Sequence, residues 1–166
     1  MAPVLALVPG RPNSAHAHAV IAAIEEAVGL AKAGRAAGVV TNPINKALLY
    51  STGFRFPGHT EYLANLAGQE DALMLMVAGD LRVALVTTHV AIKEVSSLLT
   101  KERIVAKIAE LDKSLRRDFG IQKPKIAVFG LNPHAGENGK MGSEENEIII
   151  PAIKQANSKG HLAFGP

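Results

Sequence analysis

Short apolar runs alternate along this chain with stretches of helical periodicity, and that alternation confines it to a layered α/β architecture. The runs cover residues 37–41, 73–78, 83–87 and 125–129. Between them lie segments whose apolar residues recur every three to four positions. In residues 14–33, Val20, Ile21, Ile24, Val28 and Ala31 line one face, and Gly34 supplies a stop. In residues 101–118 the same role falls to Ile104, Ile108, Leu111 and Leu115, with Thr100 as N-cap and Gly120 beyond the end.

Punctuation residues set the remaining boundaries. Asn42-Pro43 predicts an N-cap followed by proline at the first helical position, opening a helix through about Ser51 that Gly53 ends. Residues 54–58 read as a loop that delivers His59 to the start of a short helix, residues 60–66, closed by Gly68. Gly79-Asp80-Leu81-Arg82 reads as a tight connection between two antiparallel strands, which predicts a mixed sheet. Ser143 is placed to cap a helix whose Glu144 and Glu145 complement its positive end, and Pro151 should kink or divide it. Residues 2–7 and 161–164 are further candidate strands.

The 166 residues fit one domain, and a 48% hydrophobic content suffices for a core. No apolar run reaches the roughly 18 residues of a membrane span, and the start lacks a secretory-signal layout, so a soluble cytoplasmic protein is expected. A net charge of +3, with no basic block and only 4% aromatics, argues against a nucleic-acid partner and suits an anionic small molecule. Cysteine is absent, so any metal must use His, Asp, Glu or water.

Two histidines follow strand ends, where α/β proteins place working groups: His89 after Thr87-Thr88, and His134 within Asn132-Pro133-His134-Ala135-Gly136-Glu137. Neutral imidazoles on two such loops can converge on one divalent metal, although loop histidines are commonly solvated or hydrogen-bonded structural residues. Pro57-Gly58-His59-Thr60-Glu61 allows two readings: an anion site at a helix start, or a capped helix whose histidine faces water. Asn45 and Lys46 are ambiguous in the same way. Gly136, Gly139 and Gly142 make a close-approach loop without the spacing of a dinucleotide fingerprint, and no P-loop is present. His16, His18 and His161 carry no motif and read as structural or exposed.

Four stretches, Thr41-Asn42-Pro43-Ile44-Asn45-Lys46, Gly58-His59-Thr60-Glu61, residues 84–90 and residues 130–137, resemble the 4-hydroxythreonine-4-phosphate dehydrogenase family in order and spacing. The resemblance continues through residues 141–145, Ile150-Pro151-Ala152 and Gly165-Pro166. It implies a fold similar to the isocitrate and isopropylmalate dehydrogenases, with this chain a partial one, mostly the central metal- and substrate-binding, dimer-forming α/β domain. It also implies NAD and a divalent metal (zinc, magnesium or cobalt) as cofactors, a small phosphorylated substrate and a homodimer.

By the same resemblance, His89 and His134 match two of three metal-binding histidines, and His59 and Thr60 match a substrate-contacting pair. Asn132 or Glu137 would orient His134. The third histidine has no counterpart here, and sections at both ends of the family's chains are absent, so the isolated 166 residues are expected to be inactive. The implied reaction is oxidation, with decarboxylation, of 4-phosphohydroxy-L-threonine in pyridoxal 5'-phosphate biosynthesis. The alternatives are a paralogue acting on another phosphorylated hydroxy acid or on a dihydrodiol carboxylate, and a non-catalytic metal-binding or dimerisation module. No general base and no NAD contact is assigned.

Overall fold

The apolar stripe of residues 14–33 becomes helix α1 (Ala17–Lys32), and Gly34 follows it with a left-handed φ of +69°. The computed structural model describes residues 8–69 and 71–166, so the strand expected over residues 2–7 lies outside the described residues. The chain divides between Ala72 and Leu73 into two compact units, each with its own core.

In the first unit, α1 is joined by α2 (Lys46–Tyr50) and α3 (His59–Ala67). Ile24 and Val28 of α1 pack with Leu49, Phe54 and Tyr62. Phe54, Phe56 and Tyr62 form an aromatic cluster with ring centroids 4.9–5.4 Å apart. The Tyr62 hydroxyl donates to Glu25 Oε1 at 2.9 Å, and Lys32 Nζ donates to the Leu66 carbonyl at 2.9 Å, which ties α1 to α3. Burial first, and the Glu25 hydrogen bond second, push the Tyr62 phenol up to about 12.

Two expectations fail in this unit. Residues 37–41 form no strand, and Val40 is wholly exposed (101%). An apolar run becomes a strand only where a neighbour takes its backbone groups, and the first unit holds no other strand among the described residues. The helix cap is Asn45 rather than Asn42: the Asn45 side chain accepts from Leu48 N at 3.1 Å, leaving Pro43 in the preceding extended segment.

The second unit opens with the expected hairpin, β1 (Leu75–Ala78) against β2 (Leu81–Ala84), antiparallel across the two-residue Gly79-Asp80 turn. Helix α4 (Ile92–Leu98) precedes α5 (Lys101–Arg117). Thr100 caps α5 by accepting from Arg103 N at 3.1 Å, and Gly120 follows it at φ +68°. Strands β3 (Ile126–Ala127) and β4 (Ala163–Phe164) pair in parallel, and helix α6 (Ile150–Ser158) precedes β4.

Ile104, Val105, Ile108 and Leu115 of α5 pack with Ile149, Ala152, Ile153, Ala156 and the strand residues Ile126 and Ala163. Each large side chain buried there contributes about 1.5–3 kcal/mol. Asn157 fastens β4, accepting from Ala163 N and donating to Ala163 O, both at 2.9 Å. Asp112 accepts from Arg116 at 2.8 and 3.2 Å and lies 3.6 Å from His161 Nδ1, while Arg116 also donates to the Gln122 carbonyl. His161 is thus a structural residue, as its lack of a motif implied.

The expected single mixed sheet resolves, among the described residues, into two two-stranded sheets, one antiparallel and one parallel. Among the described residues each of these strands pairs along one edge only, and no ladder joins the hairpin to β3. The α/β class itself stands. A π-helical turn (Glu145–Ile149) gives way to α6 next to Pro151, where the missing N–H divides the helix as expected. The residue at the N-cap of that turn is Glu144 rather than the expected Ser143, and it makes no side-chain cap. No helix of the described residues is long and apolar enough to cross a membrane.

Candidate functional site

β3 leads into residues 130–142, and the backbone of this loop is unusual. Ala135, Glu137 and Asn138 take φ of +46°, +41° and +56°, and Gly136 and Gly139 take +74° and +91°. Non-glycine residues in the left-handed region are held there only where surrounding contacts over-determine them. Asn132 supplies three such contacts. Its Oδ1 accepts from His134 N at 2.9 Å and Gly136 N at 3.4 Å, and its Nδ2 donates to the Met141 carbonyl at 3.1 Å.

The loop presents His134 with a paired ring. His134 Nδ1 lies 3.0 Å from Glu137 Oε1, a close pair between two side chains that are each more than half exposed. A carboxylate beside Nδ1 favours a ring proton there, which would leave the Nε2 lone pair for a ligand. Of the two expected orienting residues, Glu137 holds the ring, whereas Asn132 holds the backbone.

His89 follows β2 by five residues and is exposed, with φ +57°. A non-glycine residue in that conformation marks a turn that aims one side chain, and at functional sites such strain is common. Helix α4 comes next, and Ser96 on it donates to Glu144 Oε1 at 2.6 Å. This contact ties the His89 segment to the far end of the His134 loop. The Ser96 hydrogen bond, aided by the backbone N–H groups of Glu144 and Ser143, holds the Glu144 carboxyl below its ordinary value. Among the described residues no group of three or more His, Cys, Asp or Glu side chains is positioned to hold a metal ion.

In the first unit, His59 and Thr60 are the opening residues of α3, with Gly58 at the N-cap position and no side-chain cap. Thr60 is the second residue of the helix rather than its cap. His59 is half-buried, and its Nε2 is sheltered from solvent without a hydrogen-bond partner. A Cβ on Gly58 would lie 3.4 Å from Glu61 Oε2 and 3.7 Å from Lys46 Nζ, so the glycine stands between a carboxylate and an ammonium group. Lys46 is exposed and reaches the start of α3 from α2.

The C-terminal ends of β3 and β4 border an open hollow of about 580 Å³, lined by Val128, Phe129, Leu131, Pro133, Phe164 and Pro166 among others. None of its lining residues is a histidine or a carboxylate. It is an apolar surface beside the loop rather than the place for a cation.

One residue escaped the sequence reading. Glu145, assigned there only to a helix end, is 2% exposed and accepts from Leu131 N at 2.8 Å through Oε1. The signal was present in Gly130 and Gly136: a Cβ on Gly130 would sit 3.0 Å from Glu145 Oε1, and one on Gly136 2.6 Å from Oε2.

A family model described as "Pyridoxal phosphate biosynthetic protein PdxA" matches residues 1–166. The 4-hydroxythreonine-4-phosphate dehydrogenase of Caulobacter vibrioides is 48% identical, over 99% of this chain and 51% of its own. The crystal structure of the Klebsiella pneumoniae 4-hydroxythreonine-4-phosphate dehydrogenase superposes with a TM-score of 0.90 at 39% identity, covering 96% of this chain and 49% of that one. A terephthalate 1,2-cis-dihydrodiol dehydrogenase from Burkholderia xenovorans also superposes, with a TM-score of 0.76 at 27% identity, over 99% of this chain and 52% of that one. The chain spans about half the length of these relatives. By sequence and by fold, the chain belongs to the pyridoxal phosphate biosynthetic protein PdxA family.

Proposed function

We propose that this chain is the central portion of an NAD- and divalent-metal-dependent dehydrogenase that oxidises 4-phosphohydroxy-L-threonine, with decarboxylation, in pyridoxal 5'-phosphate biosynthesis. The observation that carries the proposal is the 3.0 Å contact between His134 Nδ1 and Glu137, on the loop after β3 of a PdxA-family chain. A carboxylate set beside the ring of a loop histidine is the arrangement that commonly orients metal-ligating imidazoles.

His134 through Nε2, together with His89, would hold the divalent metal, with remaining positions filled by substrate oxygens, water or donors outside the described residues. An imidazole pair without thiolates suits zinc or cobalt and tolerates magnesium when oxygen ligands complete the shell. When bound, the metal supplies Lewis-acid stabilisation of negative charge on the reacting oxygens. Glu137 keeps the His134 ring in one tautomer, and Asn132 keeps the loop that carries it.

His59 and Thr60 would bind the anionic end of the substrate. The first-turn N–H groups of α3 are free of a side-chain cap, and Lys46 adds positive charge beside them. The sheltered, unpartnered His59 Nε2 is a hydrogen-bonding group without a protein partner, as a ligand contact would leave it. A homodimer fits the apolar side chains that the hairpin exposes, Met76 and Leu81 foremost. An isocitrate dehydrogenase-like two-domain arrangement and a cytoplasmic setting complete the proposal.

The likeness to a cis-dihydrodiol dehydrogenase supplies a second reading, oxidation of a dihydrodiol carboxylate. The full-length protein carrying this chain, given NAD and a divalent metal, should form NADH with 4-phosphohydroxy-L-threonine and not with a terephthalate dihydrodiol. The reverse preference would replace the first reading by the second. NADH formation with neither would remove both.

A further inference from the structure

The loop that carries His134 is fastened from beneath by a carboxylate to which the proposed chemistry assigns no part. Glu145 stands on the π-helical turn before α6, 14 residues beyond the backbone group it binds. Among the described residues it is one of three buried polar or charged ones, and the one carboxylate of these that accepts from a backbone N–H of the loop. Asp112, by contrast, is neutralised by Arg116. No cation of the described residues pairs with Glu145. Its Oε1 takes the Leu131 N–H, and its Oε2 has no partner and no solvent contact.

The surroundings of that carboxylate are built for it. Gly130 and Gly136 approach so closely that a methyl group on either would meet its oxygens at 3.0 and 2.6 Å. Gly136 is buried and lies at the centre of the left-handed run that begins at Ala135, next to His134. A buried carboxylate is costly when left partly satisfied, and an apolar side chain of similar size would fill the same space at lower cost. What the carboxylate adds is a directed contact at the entry to the loop, at Leu131, and a shape that only glycine at 136 can meet.

We infer that Glu145 is a positioning residue: it anchors residues 130–142 to the helical layer and thereby fixes the place of the His134 ring. The inference rests on the proposed role of His134 for its consequence to function, but the positioning itself is testable without metal. Asn132 pins the loop from inside its own sequence, whereas Glu145 anchors it to the helical layer. Without the anchor the loop keeps its internal bonds but loses its fixed attachment.

The test compares Glu145→Gln, Glu145→Leu and Gly136→Ala with the parent in the full-length protein. Two readouts need no metal: hydrogen exchange of the amides of residues 130–142, and the ring nitrogen shifts of His134, which report its Nδ1 contact with Glu137. Glu145→Leu should speed loop exchange at least roughly tenfold and shift the His134 ring signals. Exchange in α5 and the ring signals of His161 should stay unchanged.

Glu145→Gln, which keeps an acceptor for Leu131 N–H, should restore part of the protection. Gly136→Ala, which leaves the carboxylate in place but adds a methyl against it, should reproduce the loss. Cobalt(II) affinity should then fall by about tenfold or more in Glu145→Leu, the usual size of such indirect effects. Parent-like exchange and ring shifts in both Glu145→Leu and Gly136→Ala would overturn the inference. A parent that binds no cobalt, with the loop effects as expected, would overturn the metal reading and leave the positioning intact.

Discussion

Replacing Asn132 by Ala should release the His134 loop while leaving the rest of the chain folded, and the structure sets the size of the effect. Three non-glycine residues of the loop hold positive φ: Ala135, Glu137 and Asn138. Each costs about 1 kcal/mol, less for asparagine, so the strain totals about 2–3 kcal/mol. Against it stand the three Asn132 hydrogen bonds, at 2.9, 3.4 and 3.1 Å. Two of them are exposed and one is long, so each is worth about 0.5–1 kcal/mol, or about 1.5–3 kcal/mol together.

The two sums match, so removing one side leaves the loop conformation near balance with its alternatives. A loss of about 2 kcal/mol corresponds to roughly thirtyfold in population or affinity. Hydrogen exchange at residues 133–141 should accelerate by that order in Asn132→Ala, and divalent-metal affinity of the full-length protein should fall with it. Asn132→Asp, which keeps the Oδ1 acceptor but sets a carboxylate oxygen against the Met141 carbonyl, should retain more protection than Asn132→Ala and less than the parent. Parent-like exchange and metal affinity in Asn132→Ala would refute the claim that side-chain bonds hold the strained loop.

Other outcomes follow from the same geometry. Asn157→Ala strips both 2.9 Å bonds from Ala163 and leaves a part-buried N–H and C=O unpaired, so stability should drop by about 2–3 kcal/mol in a denaturant titration. The Arg116 hydrogen bond, first among several causes, holds Asp112 below its ordinary value. Its contribution is therefore complete above the usual carboxylate range and fades as pH falls through the lower folded value. Asp112→Asn should cost about 1–2 kcal/mol at neutral pH, since Arg116 is partly exposed, and should flatten the acid limb of a stability profile. Tyr62, raised to about 12, favours the folded state fully below pH 10, and that advantage is lost as pH rises through 12. In a Tyr50→Phe background its phenolate absorbance should appear with a midpoint near 12, and a midpoint near 10 would contradict its burial against Glu25.

Much of the fold could be read from pattern because it is set locally. The 3.6-residue repeat of Ile104, Ile108, Leu111 and Leu115 and the caps around it dictate α5 whatever lies nearby. The Gly79-Asp80 turn likewise fixes the hairpin. Residues 37–41 show the limit: their apolar character states a preference for burial, but strand formation depends on a neighbour that the pattern cannot name. The site divides in the same way. His89 and His134 stand out because they follow strand ends, whereas Glu137, beside Asn132, is singled out only through the family resemblance. Glu145 was hidden because its bonded partner, Leu131 N, is a main-chain group, and only the glycines at 130 and 136 mark the space it fills.

The central claim, one divalent cation shared by His89 and His134, is tested most directly by anomalous diffraction at the zinc edge from crystals of the full-length protein grown with zinc. The account predicts a single peak at about 2.0–2.1 Å from both His134 Nε2 and a ring nitrogen of His89. A peak bound to only one of these rings, or a zinc site that involves neither, would contradict it.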